Sequence, residues 1–409
     1  MVPDRRAGEL SGISAEMVAR SSGVRERHVD RAGWKPFLRR WSEEWLSARE
    51  PGTPRPFEEP ITAPRLGFPP ATEDEVAAAE ARLGCALPPS LREFLLVSNG
   101  WQDLGDFVCS LRAADELGWV RDLEPHWIDA YEDEAIERSL LVSLEADSAI
   151  VFLDPMDVDE RGEWAAYWLA SWSGSGPERH GSFFELMYDL YARFHALHRP
   201  SSPTSREWDA KIERARQAAL AGEIDGPLAT LAEAGRFGRD RAWVLRFQML
   251  VMLRRPDAPM EIRLPLSRPA EPAWSVDDAL LMAEILPVLH AAHERTPAGT
   301  LSMLSFLTDY GSDHVRRLIM DYQARAAEPG FRVRLGPPDF ESAVRAAVTA
   351  PDPSPALHEA LGSWRPLNDD HIAPISLLAD PRIAPLITPD LGRRILATPR
   401  GRDGRPIAG

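Results

Sequence analysis

A change of hydrophobic period at Asn99-Gly100 constrains the fold of this 409-residue chain more than any other feature. Before it, 71-ATEDEVAAAEARLG-84 places Val76, Ala79 and Leu83 on one side of a helix, and Thr72 and Glu75 have the spacing of a capping box. In 83-LGCALPPSLREFLLVSNGW-101, Pro88 and Pro89 suit a first helical turn, where the missing N–H would have no partner anyway. Leu91, Phe94, Leu95 and Ser98 follow at helical spacing, and Asn99-Gly100 tolerates the left-handed conformation in which helices end. After it, 106-DFVCSL-111, 138-RSLLVSLEAD-147, 148-SAIVFLDP-155 and 163-EWAAYWLASWS-173 read as strands bounded by Asp, Pro, Gly and Ser. The helical period returns in 183-FFELMYDLYARFHALH-198. Two helices, a mostly antiparallel sheet and a closing helix predict an α+β domain over residues 66–198.

The flanks differ from this core. Residues 1–65 read as an arm in which 34-WKPFLRRWSEEWLSARE-50 forms an amphipathic, Trp-rich helix. Such a stripe serves core packing or docks on a partner. The Pro-rich stretch 51–70 reads as an extended connector. Residues 199–409 read as mainly α-helical. Three helices are expected in 208–253, and later ones near 276–293, 312–326, 338–349 and 387–397. No repeat period persists there.

Charge separates the segments further. Residues 66–198 carry 8 Lys and Arg against 26 Asp and Glu, a net of −18, which accounts for the whole −16 of the chain. Such a segment repels nucleic acid and anionic membranes and attracts basic protein surfaces. Cys85 and Cys109 are too few for a disulfide framework and fit a reducing cytoplasm. No apolar run approaches the length of a membrane span. The sequence therefore predicts a soluble, cytoplasmic protein.

The order of features in the central segment resembles the SUKH superfamily, in its Smi/Knr branch. Glu73, Val76 and Glu80 precede Leu83-Gly84, then come Leu87-Pro88, Leu91, Phe94, Leu95 and Asn99-Gly100. The strands 150-IVFLDP-155 and 164-WAAYWLASW-172 follow, and Ser182-Phe183-Phe184 opens the last helix. The acidic loop 154-DPMDVDERGE-163 and both flanks depart from the pattern. The resemblance implies a protein-binding module without chemistry of its own. Bacterial members are associated with immunity against polymorphic toxins, and others act as regulatory scaffolds.

The residues offer no competing chemistry. Asp154, Asp157, Asp159, Glu160 and Glu163 lack the spacing of a calcium loop. His195 with His198, and His290 with His293, find no completing ligand pattern for zinc. Gly174-Ser175-Gly176 is not a nucleophile elbow, and no phosphate-binding or dinucleotide fingerprint occurs. Neither catalytic residues nor a cofactor or metal is predicted, and a hydrolase in the C-terminal half is the remote alternative. The expected contacts with a basic toxin domain are Trp101 as an aromatic anchor and Asp103, Asp106, Glu132, Asp133, Glu134, Asp154, Asp157, Asp159 and Glu160 around it.

Overall fold

The computed structural model describes residues 30–48, 65–104, 107–131, 133–174, 176–268, 275–297 and 299–399. The arm before residue 30, most of the Pro-rich connector and the tail after 399 lie outside the described residues. The chain divides into two units, residues 1–205 and 206–409.

The first unit begins with helix α1, Arg31–Ala48, whose Trp34, Leu38, Trp41 and Trp45 are buried. Trp34 meets Phe94, Phe183 and Phe184 with ring centroids 5.0–5.9 Å apart, so the Trp stripe packs within this unit's core. Helix α2, Glu73–Leu83, has the expected capping box: the Thr72 hydroxyl accepts from Glu75 N–H while the Glu75 carboxylate accepts from Thr72 N–H. Helix α3, Pro89–Leu95, starts with proline in its first turn.

Helix α3 is shorter than its apolar spacing predicts. It closes at Leu96, so Ser98 does not extend its face. The Ser98 hydroxyl instead accepts from Phe68 N–H at 3.0 Å and donates to the Gly100 carbonyl at 2.6 Å. Asn99 Oδ1 accepts from Ala114 N–H at 2.8 Å. Gly100 has φ +100°, and an added Cβ would lie 3.0 Å from the Leu111 carbonyl. The Ser-Asn-Gly signature thus ties three chain segments together rather than simply ending a helix.

Eight strands follow: β1 Trp101–Gln102, β2 Val108–Leu111, β3 Gly118–Trp119, β4 Leu140–Leu141, β5 Ser143–Ala146, β6 Ala149–Val158, β7 Trp164–Ala170 and β8 Glu178–His180. They form two antiparallel sheets, ordered β1-β2-β5 and β3-β4-β6-β7-β8. Between β3 and β4 the chain makes three short helices that the strand pattern did not predict: α4 Val120–Leu123, α5 His126–Tyr131 and α6 Glu134–Arg138. Val120, Trp127 and Ile136 from these helices join Leu141, Ile150, Phe152 and Leu169 in one apolar cluster on a face of the five-stranded sheet. Helix α7, Phe183–His198, is capped by the Ser182 hydroxyl accepting from Glu185 N–H, and buries Phe183 and Phe184.

The next helix is α8, Pro203–Leu220. In the second unit, α9 Asp225–Arg236 and α10 Asp240–Met252 are followed by further helices, among them Met303–Tyr310, Asp313–Ala326, Pro338–Val348 and Pro389–Ala397. A π turn, Leu281–Ile285, precedes Pro287 in the helical run 278–294; a proline lacks the N–H that an α-helical ladder needs. Gln248, a polar interruption in the apolar run 244–253, is fully buried. Its amide donates to the Asp370 carbonyl at 2.7 Å, and its oxygen accepts from Ile372 N–H at 2.9 Å. An α+β first unit followed by a helical region matches the expected fold class.

Candidate functional site

Six of the nine acidic residues predicted for contact, Asp133, Glu134, Asp154, Asp157, Asp159 and Glu160, lie on α6 and around the outer end of strand β6. Strict alternation would send Asp154 and Asp157 to opposite faces of the sheet, because they are three residues apart. The β6–β7 register breaks instead between Asp154, opposite Ala165, and Val158, opposite Trp164. This irregularity changes the parity of the strand, as a β-bulge does. Asp154 accepts two hydrogen bonds from Arg138 at the end of α6, at 2.8 and 2.6 Å. Asp157 accepts from the Tyr167 hydroxyl at 2.8 Å and from Arg179 at 2.6 and 2.7 Å. Tyr167 stacks on Phe152 within the sheet's apolar cluster. Both carboxylates therefore serve one face.

Helix α6 adds two more acids. Asp133 caps it, accepting from Ala135 N–H at 2.8 Å, and Glu134 occupies its exposed first turn. Arg138 is held more firmly protonated by its hydrogen bonds to Asp154, and it also feels Glu134 and Asp133. The Arg179 hydrogen bonds hold the Asp157 carboxyl below its usual range, with Tyr167 and Arg138 adding to the effect. Burial, then the bond to Asp157, pushes the Tyr167 phenol up to about 12. Arg138 is thus bonded to Asp154 and interacts electrostatically with Asp133, Glu134 and Asp157, and Asp159 and Glu160 follow on the hairpin.

These acids are not equally available to a partner. Asp154 is 2% exposed and its bonds to Arg138 are internal. Asp159 is exposed, although its carboxylate also accepts from Arg161 N–H at 2.9 Å and Glu163 N–H at 2.8 Å, which shapes the turn. Glu160 and Glu134 are exposed. Met156 and Val158 stand out from this end of β6 at 75% and 45% exposure.

Trp101 corrects the sequence reading: it is buried at 1% exposure, 5.6 Å from the Trp41 ring, and belongs to the core rather than to an exposed anchor. An indole between β1 and α1 gains more from burial than from waiting for a partner. Asp103 lies after β1, with φ +58° and its N–H donating to Cys109 O at 2.6 Å, so it belongs to the smaller sheet's hairpin. Asp106 and Glu132 lie outside the described residues.

Two buried carboxylates have structural roles that no sequence spacing announces. Glu163, 6% exposed, accepts from the N–H and the hydroxyl of Ser90 at 2.9 and 2.6 Å and so caps α3 from the β6–β7 hairpin. Glu44 on α1 accepts from Tyr191, from His195 Nε2–H at 2.9 Å and from Thr204 N–H at 2.9 Å. Burial acts to raise its pKa, but the bonds from His195, Tyr191 and Thr204 outweigh that and hold it at about 2. The opposed helices could not be paired from sequence alone: Glu44 and His195 are 151 residues apart.

Glu178, His180 and Asp189 bring ligand atoms within 4.8 Å of one another, a grouping no sequence spacing announced. The Arg193 guanidinium already bonds both carboxylates, donating to Asp189 at 2.6 Å and to Glu178, and it lies 4.9 Å over Trp168. A cation is thus built into this group. Of the helical histidine pairs, His195 pairs with Glu44 and His293 Nδ1 lies 2.8 Å from the Ser302 hydroxyl. His290 packs edge-on against Tyr322.

Residues 70–187 match the model of the SMI1 / KNR4 family (SUKH-1), so the chain carries an SMI1/KNR4 domain, and the rest lies outside that match. No curated protein and no solved structure matches the chain. The matched segment holds α2, α3, both sheets and the first turn of α7. Helix α1, which packs its tryptophans against Phe94 and Phe183, falls before it.

Proposed function

We propose that this SMI1/KNR4-domain protein is a non-enzymatic binding module, and specifically a bacterial cytoplasmic immunity protein that neutralises a basic toxin domain. The observation that carries this reading is an SMI1/KNR4 domain over residues 70–187 within the strongly acidic third of the chain. Carboxylates on the β6–β7 hairpin and α6 would steer a basic surface into contact and then cover its active or substrate-binding cleft. Among the described residues, Glu134, Asp159 and Glu160 are the exposed members of that set. The buried or bridged Asp154 and Asp157 hold its shape.

The test is co-purification of the full chain with the toxin domain encoded beside its gene, followed by association kinetics at low and moderate salt. Reversing Glu134, Asp159 and Glu160 to Arg is expected to slow association about tenfold or more at low salt and to flatten its salt dependence. An unchanged salt slope removes the electrostatic part of the reading. A second reading, a regulatory scaffold, draws on the helical region after residue 199, which a compact inhibitor does not need. A biosynthetic or envelope gene neighbourhood without a toxin, and partners captured by the full chain but not by binding to its acidic hairpin, would favour it.

A further inference from the structure

A recess of about 610 Å³ opens at the other end of β6, where the two sheets approach α5. Its volume falls within the range of ligand-binding clefts. Trp127, Leu141 and Ile150, at most 6% exposed, form its floor above the sheet's core cluster, and Leu144, 38% exposed, gives it an open apolar side. Glu124, His126 and Asp147 line it as polar groups, and among the described residues its lining contains no lysine or arginine.

The two carboxylates differ from those at the hairpin end. Asp147 is exposed, and its side chain makes no hydrogen bond or ion pair among the described residues. Its backbone is nevertheless fixed: Asp147 N–H donates to Phe107 O at 2.9 Å, and Ser148 follows in a left-handed conformation whose carbonyl accepts from Ser171 N–H at 2.9 Å. Glu124 lies 3.3 Å from His126 Nδ1, a neighbour that is itself 68% exposed. Arg112 feels Glu124, but its guanidinium donates to the Ser143 and Glu116 carbonyls, and it does not line the recess.

We infer that this recess seats one basic side chain, an arginine or lysine, presented by a partner protein. The carboxylates of Glu124 and Asp147 receive the cationic head through charge-assisted bonds. The methylene stem lies along Leu144, the exposed apolar side chain of the lining, over the edge of the Trp127 indole. Such a pocket supplies the buried anchor that an acidic surface alone lacks, since exposed charge pairs contribute speed more than affinity. The inference rests on the protein-binding reading and names the chemistry of one contact within it.

The test uses the full chain and N-acetyl-arginine amide as the probe, with binding followed by amide and indole chemical shifts in TROSY spectra. N-acetyl-citrulline amide, which keeps the shape without the charge, and methylguanidinium, which keeps the charge without the stem, are the comparison probes. The arginine probe is expected to shift Trp127, Asp147 and Ser148 signals and to bind at least tenfold more tightly than citrulline amide and several-fold more tightly than methylguanidinium. Asp147→Asn with Glu124→Gln should weaken it about tenfold, whereas Asp74→Asn on the exposed side of α2 should leave it unchanged. Equal binding of citrulline amide, or equal loss in Asp74→Asn, overturns the inference. Methylguanidinium binding as tightly as the arginine probe would assign the recess to small free cations and overturn the side-chain seat. Absence of shifts with any probe, in a chain that still co-purifies with a basic toxin domain, sinks the recess alone; loss of co-purification with the shifts retained sinks only the toxin reading.

Discussion

The two ends of strand β6 carry similar charge and use it differently. At the Val158 end, Asp154 and Asp157 are locked into guanidinium bonds with Arg138 and Arg179. At the Ala149 end, Asp147 stands beside an open recess without a partner among the described residues. The net −18 of residues 66–198 counts them alike. A carboxylate bonded inside the fold adds to the long-range field but offers a partner few free lone pairs, whereas an unbonded one beside an apolar wall offers both. Long-range steering and short-range recognition can therefore reside at opposite ends of one strand.

The sharpest way to break this comparison is to remove a cation from the bonded end. Arg138→Met leaves Asp154, 2% exposed, without its counter-charge. An uncompensated buried carboxylate is strongly destabilising, and a loss of about 3 kcal/mol is expected. The parallel change at the open end, Asp147→Asn, removes no internal bond and is expected to stay within about 0.5 kcal/mol. Urea unfolding of both variants, followed by tryptophan fluorescence, measures the two effects side by side. Comparable losses would erase the distinction between bonded and available carboxylates.

Glu44 extends the bonded class to a fully interior site and adds a pH signature. Its carboxyl is held at about 2 in the fold against an ordinary value of 4.5. A depressed carboxyl stabilises the fold above its unfolded pKa and loses that contribution as pH falls through the folded value. About 3 kcal/mol should therefore disappear between roughly pH 4.5 and pH 2. Glu44→Gln is expected to weaken the first unit by about 2 kcal/mol at neutral pH and to flatten its stability across that acid range. Unfolding curves at pH 7, 4 and 3 would reveal both effects. A variant that keeps the wild-type pH slope would show that Glu44 is not its source.

These carboxylates also mark where the sequence is legible. The capping box at Thr72, the Ser182 cap and the helix at Asp313–Ala326 are local, and spacing alone identifies them. The apolar stripe of α1 announces a buried face without saying what covers it; the Trp34–Phe184 contact spans 150 residues. Helices α4 to α6 are only four to six residues long, too short for a period to emerge above their charged neighbours. Acidic clustering was visible at 154–163, yet Glu163 capping α3 and Asp154 bonding Arg138 depend on the irregular register, which alternation conceals. Trp101 misleads for a related reason: aromatic anchors and core indoles have the same sequence surroundings, and only the approach of α1 separates them. A charge total does not say which acids share a surface, so the placing of Asp133 and Glu134 beside the hairpin had no sequence signal, and the recess near Trp127 left none because its walls come from five separate strands and helices.

The smallest effect is expected from Met156→Ser combined with Val158→Thr, and it separates shape from contact at the hairpin end. Both side chains are exposed, so truncating them removes little buried apolar surface. The bends around them are held by Asp154 with Arg138, by Asp157 with Arg179 and by Asp159 with the Glu163 backbone. Stability is therefore expected to stay within about 0.5 kcal/mol of the parent chain. Circular dichroism and the urea midpoint provide the check. A loss above about 1.5 kcal/mol would mean that the apolar pair supports the hairpin from within, and the bonded carboxylates would then share with it the role of fixing this end of β6.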